Sequence, residues 1–257
     1  MSATSLAPVR LSRAGSGPAL LLLHCLGVDR HMWPIAAAGL ERDFTLISCD
    51  FPGHGDAAPA TGPYGIADLS GQIAAGLDAL GGGKVHVGGI SLGGLVAQHL
   101  AATRPELVDR LILIDTTPRY TDERRANWAE RAATARAHGV AGMTEGLLSI
   151  WFTAEAIAAD GPAVRYVRAC FARADGAAYA LACEALAEAD LRPLAARIAA
   201  PSLVVCGEQD IASFIDAARW LAGAIARAEP CWLAPARHAS VLEQPAAFVA
   251  AVRRFLA

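Results

Sequence analysis

The chain lacks any run of 18 uncharged apolar residues, so no stretch of it reads as a membrane-spanning helix. It lacks a basic cluster. Its 22 lysines and arginines stand against 25 acidic residues for a net charge of −3, and the arginines are scattered, which leaves no electrostatic footprint for nucleic acid. Among six cysteines there is no C-x-x-C, and no His, Cys or carboxylate group shows metal-ligand spacing, so neither a redox motif nor a metal centre is expected. Cys25, Cys49, Cys170, Cys183, Cys206 and Cys231 fall mostly in apolar strand or helix patterns, where cysteine acts as a small buried hydrophobe. A reducing cytoplasm is the expected compartment. The apolar run 18–26 follows Arg10 and Arg13, but it is short and no small-residue cleavage site closely follows it. A buried parallel strand is expected there rather than a signal peptide.

What the chain has is apolar bulk. Hydrophobic residues make up 54% of 257, enough for one large core and too many for a disordered chain. Residues 19–24, 44–49, 84–90, 110–115, 202–207 and 231–233 read as strands, and 66–80, 92–103, 214–226 and 245–256 as helices. This alternation implies an α/β fold, a mostly parallel sheet flanked by helices, with its site at the carboxyl ends of the strands. Only 9–13 can form a strand before residue 19, so the sheet is expected to lack a first strand. From 118 to 190 the strand pattern stops, and 122–138, 140–151, 162–174 and 179–188 read as helices. The expected division is a core of 1–117 and 191–257 with a helical lid of 118–190.

The most specific motif is Gly89-Ile90-Ser91-Leu92-Gly93, a G-x-S-x-G between an apolar strand and an amphipathic helix. Such a serine sits on a sharp turn with its hydroxyl exposed, and glycines let strand and helix approach closely. A serine hydroxyl needs a base, and the base needs a third group to hold its tautomer. Three histidines follow Ser91. His99 lies inside the next helix and His138 ends a lid helix, whereas His238 lies in a loop before the terminal helix and is the expected base. Asp210 and Asp115 both end apolar strands. Either can reach the histidine, because neighbouring strand ends are only about 4.8 Å apart. The oxyanion of acyl transfer needs two N–H groups, expected from Leu92 and from Leu26 in the loop after residues 19–24. The Gly-rich turn at Asp50-Phe51-Pro52-Gly53-His54-Gly55 has no lysine and no helix directly after it, and reads as structural rather than phosphate-binding.

At this point the chain resembles the α/β-hydrolase superfamily over nearly its full length, and within it the 3-oxoadipate enol-lactonase (β-ketoadipate enol-lactone hydrolase) group. The matching residues include Leu26-Gly27 with His31-Met32-Trp33, Gly53-His54-Gly55, Gly62-Pro63-Tyr64 and Ile90-Ser91-Leu92-Gly93-Gly94. Further on come Trp151-Phe152-Thr153, Asp190-Leu191-Arg192, Arg197-Ile198 with Pro201, and Val204-Val205-Cys206-Gly207. The end carries His238 followed by Glu243-Gln244-Pro245. The resemblance implies a triad of Ser91, Asp210 and His238, and it ranks Asp210 above Asp115, which is then expected to cap or orient the first lid residues.

Three departures bear on substrate. Ile150 stands where the group often has arginine, Ile211-Ala212-Ser213-Phe214 replaces a proline-containing turn, and Ala239-Ser240-Val241-Leu242 follows the histidine. Cys25, Ile150, Trp151 and Ile211 are the expected substrate-binding residues. Ile150 and Trp151 predict an apolar wall that favours uncharged esters or lactones. The alternative is that a lid arginine (Arg119, Arg124, Arg125, Arg165, Arg168 or Arg173) turns inward to meet a substrate carboxylate.

The expected function is hydrolysis of a small-molecule ester or lactone through an acyl-enzyme, with no cofactor and no nucleic-acid or membrane partner. The alternatives are a short-chain carboxylesterase, a C–C hydrolase, a cofactor-free perhydrolase, or a triad-bearing ligand receptor. The sequence sets no oligomeric state.

Overall fold

The computed structural model describes residues 6–257. Its strands are β1 (Ser12–Gly15), β2 (Ala19–Leu23), β3 (Thr45–Ser48), β4 (Val85–Ile90), β5 (Val108–Ile114), β6 (Ser202–Gly207) and β7 (Ala228–Leu233). They form one sheet in the order β1-β3-β2-β4-β5-β6-β7. Only β1 runs antiparallel, on β3 at the edge. Every residue of β4 and β6 is buried, as expected of parallel strands covered on both faces.

The helices are α1 (Trp33–Ala36), α2 (Ile66–Ala79), α3 (Leu92–Thr103), α4 (Asp122–His138), α5 (Thr144–Trp151) and α6 (Ala154–Ala159). They continue with α7 (Pro162–Arg173), α8 (Gly176–Glu188), α9 (Ala212–Ala224), α10 (Ser240–Glu243) and α11 (Pro245–Leu256). No helix of the described residues is long and apolar enough to cross a membrane. All six cysteines are free thiols.

Two sequence expectations shift. The strand expected at 9–13 forms at Ser12–Gly15 instead. Val9 and Leu11 are used in packing, since their side chains lie 2.7 and 3.2 Å from where a Cβ on Gly76 of α2 would stand. Among the described residues β1 is the single strand before Ala19, and residues 1–5 lie outside them. The helix expected over 140–151 begins as a 3₁₀ turn, Ala141–Met143, and becomes α-helical only at Thr144. Helix α6 is an addition. Thr153 caps it by accepting from the Ala156 N–H at 3.3 Å, and Asp160 ends it at φ 43°.

Strand β2 pairs with β3 on one side and β4 on the other, so the chain reverses its direction of travel across the sheet there. A crevice at the carboxyl ends of β2 and β4 follows from that reversal. The five helices α4 to α8 all fall between β5 and β6. Helix α4 lies along α8 closely enough that a Cβ on Gly176 would stand 2.2 Å from the Ala135 carbonyl.

The approach of α3 to β2 is equally tight. A Cβ on Gly93 would meet the Leu23 carbonyl oxygen at 2.2 Å, and backbone cannot step aside as a side chain can. Gly93→Ala is therefore expected to cost roughly 3 kcal/mol. Calorimetry should register this as a Tm lower by about 6–12 °C.

Candidate active site

Ser91 leaves β4 at φ 52° and ψ −111°, a conformation strained for a residue with a Cβ. Backbone bonds hold it there. Its N–H donates to the Ile114 carbonyl at 2.9 Å, and its own carbonyl accepts from Leu95 N–H at 3.1 Å and Thr116 Oγ1 at 2.8 Å. The two flanking glycines are steric requirements. A Cβ on Gly89 would stand 2.2 Å from the Gly93 carbonyl oxygen, as Gly93 itself is hemmed by Leu23.

His238 lies in the loop after β7, buried, with Nε2 3.2 Å from Ser91 Oγ and Nδ1 2.9 Å from Asp210 Oδ2. A carboxylate only accepts, so Nδ1 carries the proton and Nε2 is free to accept from the serine hydroxyl. The second carboxylate oxygen of Asp210 accepts from Ile211 N–H at 2.7 Å, which fixes its orientation. Phe214 and Trp151 wall the imidazole at ring distances of 4.2 and 6.3 Å. The loop is tied to the helical segment. Ala239 N–H donates to the Trp151 carbonyl, and Glu243 accepts from Arg237 N–H, Thr153 N–H and Thr153 Oγ1. Burial alone lowers the pKa of His238, but the charge of Asp210, its hydrogen bond and the charge of Asp115 outweigh burial and raise it.

Asp115 does not cap the first residues of the helical segment, as the sequence led us to expect. At φ 42° it turns back under the site. Its Oδ1 accepts from Gly207 N–H at 3.0 Å, and its Oδ2 from Ser240 N–H at 3.1 Å and Ser240 Oγ at 2.6 Å. The ends of β5 and β6 and the residues after His238 are thus joined at one buried carboxylate. Burial, and then the charge of Asp210, push its pKa up to about 7. Asp115, Cys206 and Asp210 bring potential ligand atoms within 4.8 Å of one another. Hydrogen bonds already account for this cluster, since both carboxylates are occupied by N–H and O–H donors.

The loop after β2 carries Cys25 and Leu26, both buried. Among the described residues neither Leu26 N–H nor Leu92 N–H has a hydrogen-bond acceptor. His24 shapes this loop. Its Nε2 accepts from Phe51 N–H at 2.9 Å, so Nδ1 bears the proton and donates to the Cys25 carbonyl at 2.7 Å. Burial and the neighbouring His54 lower the His24 pKa to about 4, and the ring is neutral at pH 7. Asp29 then ties the loop to α7, accepting from Tyr166 Oη at 2.8 Å and Arg173 Nη2 at 2.5 Å. The Asp50 turn is likewise structural, with its carboxylate held by Arg30 and by Asp56 N–H.

Of the expected substrate-binding residues, Trp151 stands edge-on to His238, and Cys25 is buried in the loop beside Leu26. Ile150 and Ile211 are half-buried against the core. Sequence reasoning missed His24, Ser240 and Tyr120. His24 carried a signal in its position at a strand end. Ser240 stood in the departure noted after the histidine, but only the folded chain brings it to Asp115, as it brings Tyr120 to Ser91.

The sequence matches the alpha/beta hydrolase fold family over residues 18–245, and the chain belongs to that family. It is similar to 3-oxoadipate enol-lactonase 2 of Acinetobacter baylyi, at 33% identity over 235 residues, 91% of this chain and 87% of that protein. It is also similar to a pimeloyl-[acyl-carrier protein] methyl ester esterase of Chromobacterium violaceum, at 34% over 251 residues, 94% of this chain and 95% of that one. The crystal structure of the enol-lactonase from Burkholderia xenovorans LB400 superposes with a TM-score of 0.90 at 34% identity, covering 96% of each chain. The family is one of hydrolases, and its members similar to this chain include ester and lactone hydrolases.

Asp115→Ala leaves three buried donors without an acceptor, at a cost expected to be about 3 kcal/mol or more. Denaturant unfolding of the purified variant measures it. A midpoint equal to that of the parent protein would show that Asp115 does not hold this seam.

Proposed function

We propose that the protein is a serine hydrolase acting on small carboxylic esters or lactones, with 3-oxoadipate enol-lactone as the type of substrate suggested by its relatives. The observation that carries this reading is the hydrogen-bonded line Ser91–His238–Asp210, set beside two N–H groups that lack acceptors. In this reading His238 takes the Ser91 proton as Oγ attacks the carbonyl. Leu26 and Leu92 N–H stabilise the oxyanion, and Asp210 stabilises the imidazolium that forms. His238 then gives its proton to the leaving oxygen. A water activated by the same ring hydrolyses the acyl-enzyme, and each step uses the chain's own groups.

Residues 118–190 serve as the lid in this reading. The carbonyl of Trp151 and the side chain of Thr153 are bonded to the loop that carries His238, so the segment positions the base as well as covering the site. Expelling water there strengthens the N–H contacts to the oxyanion.

Ser91→Ala is expected to reduce kcat for 4-nitrophenyl esters at least about 10⁴-fold while the circular dichroism spectrum is retained. Wild-type turnover by the folded variant would sink the nucleophile assignment. The reaction needs neutral His238, whose pKa is raised. The acid limb of the kcat/KM profile is therefore expected above the ordinary histidine value of 6.5, with activity lost as pH falls through it. The charge of Asp115 contributes to that raised value, so Asp115→Asn should move the limb to lower pH. A limb that stays put in the folded variant excludes this electrostatic role.

A further inference from the structure

The segment 118–190 holds eight arginines. Six pair with carboxylates: Arg119 with Asp122, Arg125 with Glu188, Arg136 with Glu184, Arg165 and Arg168 with Asp160, and Arg173 with Asp29. Among the described residues the other two, Arg124 and Arg131, have no carboxylate partner. Both are half-buried, and they stand seven residues apart on α4, with Trp128 between them on the same helical face.

That face looks toward the nucleophile through a continuous run of rings. The Arg131 guanidinium lies 4.5 Å over the Trp128 ring, and Trp128 stands edge-on to Tyr120 at 5.4 Å. Tyr120 meets Phe214 at 6.1 Å, and Phe214 meets His238 at 4.2 Å. The indole Nε1 of Trp128 has no hydrogen-bond partner, and the hydroxyl of buried Tyr120 has none of good geometry, reaching only toward Ser91. Buried donors are nearly always satisfied in folded proteins, so an orphaned indole N–H and an under-satisfied hydroxyl beside a guanidinium that has no carboxylate mark a place built for an acceptor. The Arg131 charge also acts on the Tyr120 and Tyr179 hydroxyls, and Ser91 acts on the Tyr120 hydroxyl. The Tyr179 ring lies 3.1 Å from the Cβ position of Gly27, next to Leu26. The cluster therefore borders both the serine and the oxyanion loop.

A guanidinium fork with neutral N–H and O–H donors beside it suits a small oxyanion, and on a small ester or lactone that group is a carboxylate. We propose that Arg131, with the Trp128 indole N–H and the Tyr120 hydroxyl, forms a carboxylate-binding subsite, so that the preferred ester or lactone carries a free carboxylate a short chain away from its scissile carbonyl. The inference rests on the hydrolase reading above and locates that site's specificity on α4. It replaces the apolar wall expected from Ile150. The cation absent from α5 is supplied by α4, from a residue the sequence did not single out.

The test compares kcat/KM for mono-4-nitrophenyl adipate and 4-nitrophenyl hexanoate, which share a six-carbon acyl chain and differ at its far end. The wild-type protein is expected to favour the acid at least about tenfold. Arg131→Gln should remove that preference, and Arg131→Lys should keep part of it. Arg136→Gln, which breaks only the exposed pair with Glu184, should leave it unchanged. A wild-type ratio of one or less overturns the proposal, as does a ratio that Arg131→Gln does not alter. Should Arg131→Gln fail to fold, Trp128→Phe, which keeps the ring and removes the N–H, must lower the ratio for the proposal to stand. If neither ester is turned over, the hydrolase reading fails by itself, and calorimetric titration with adipate and hexanoate then decides the subsite. Tighter binding of adipate supports it, and equal or weaker binding overturns it.

Discussion

The structure depends first on the absence of a side chain at Gly93. Its Cα side faces the carbonyls of Leu23 and His24, with no room for a Cβ. That contact fixes where α3 begins relative to the end of β2. The same contact sets the start of α3, which opens with Leu92, against the loop just past β2, which carries Leu26. It also places Ser91, because Gly89 is pressed against Gly93 in turn. A strained serine at φ 52° costs roughly 1–3 kcal/mol. The buried strands on either side hold it in that conformation.

Asp115 is the second buried constraint. In a parallel sheet the strand ends splay into loops whose N–H groups lose their ladder partners, and each must find another acceptor. Here one carboxylate serves three donors from β6 and from the residues after His238. The same charge also helps to keep the His238 imidazole basic against burial. A residue that joins the seam mechanically also sets part of the electrostatics of the ring beside it.

The helical segment divides its cations by environment. Apart from Arg173, whose partner Asp29 is buried, the outward arginines are held in exposed ion pairs worth at most about 1 kcal/mol each, more a matter of solubility than of stability. The face of α4 that looks inward instead carries Trp128 and two cations without carboxylates. Tyr120 lies under that face, and α8 packs alongside the helix with Gly176 against Ala135. A half-buried guanidinium that meets only a ring and a neutral hydroxyl keeps its charge uncompensated in the free protein, which is the reason to read that face as a site rather than as core.

Much of this was legible in the linear chain. The limits of α3, α11 and β6 follow from apolar periodicity, because those segments bury one face or both throughout their length, and those of α4, where only Ala132 and Ala135 are buried, follow from punctuation by Thr121 and Gly139. Ser91 and His238 were legible because glycine spacing and chain order express local steric needs. Asp210 needed the family resemblance, since Asp115 ends an equally apolar strand. The strand at 9–13, the role of Asp115, and the positions of Tyr120 and Arg131 were not legible. Val9 and Leu11 alternate as a strand would but pack on α2. Asp115 accepts from residues 92 and 125 positions away. In Arg131 the sequence offers one arginine among eight in the segment, and nothing local marks it as one of the two without a carboxylate partner. The sequence by itself determined the elements and the elbow, because these rest on contacts within a few residues. Tertiary structure alone decided what Asp115 holds and which arginines are left without a carboxylate, because those outcomes depend on which distant donors and acceptors the packed chain leaves satisfied.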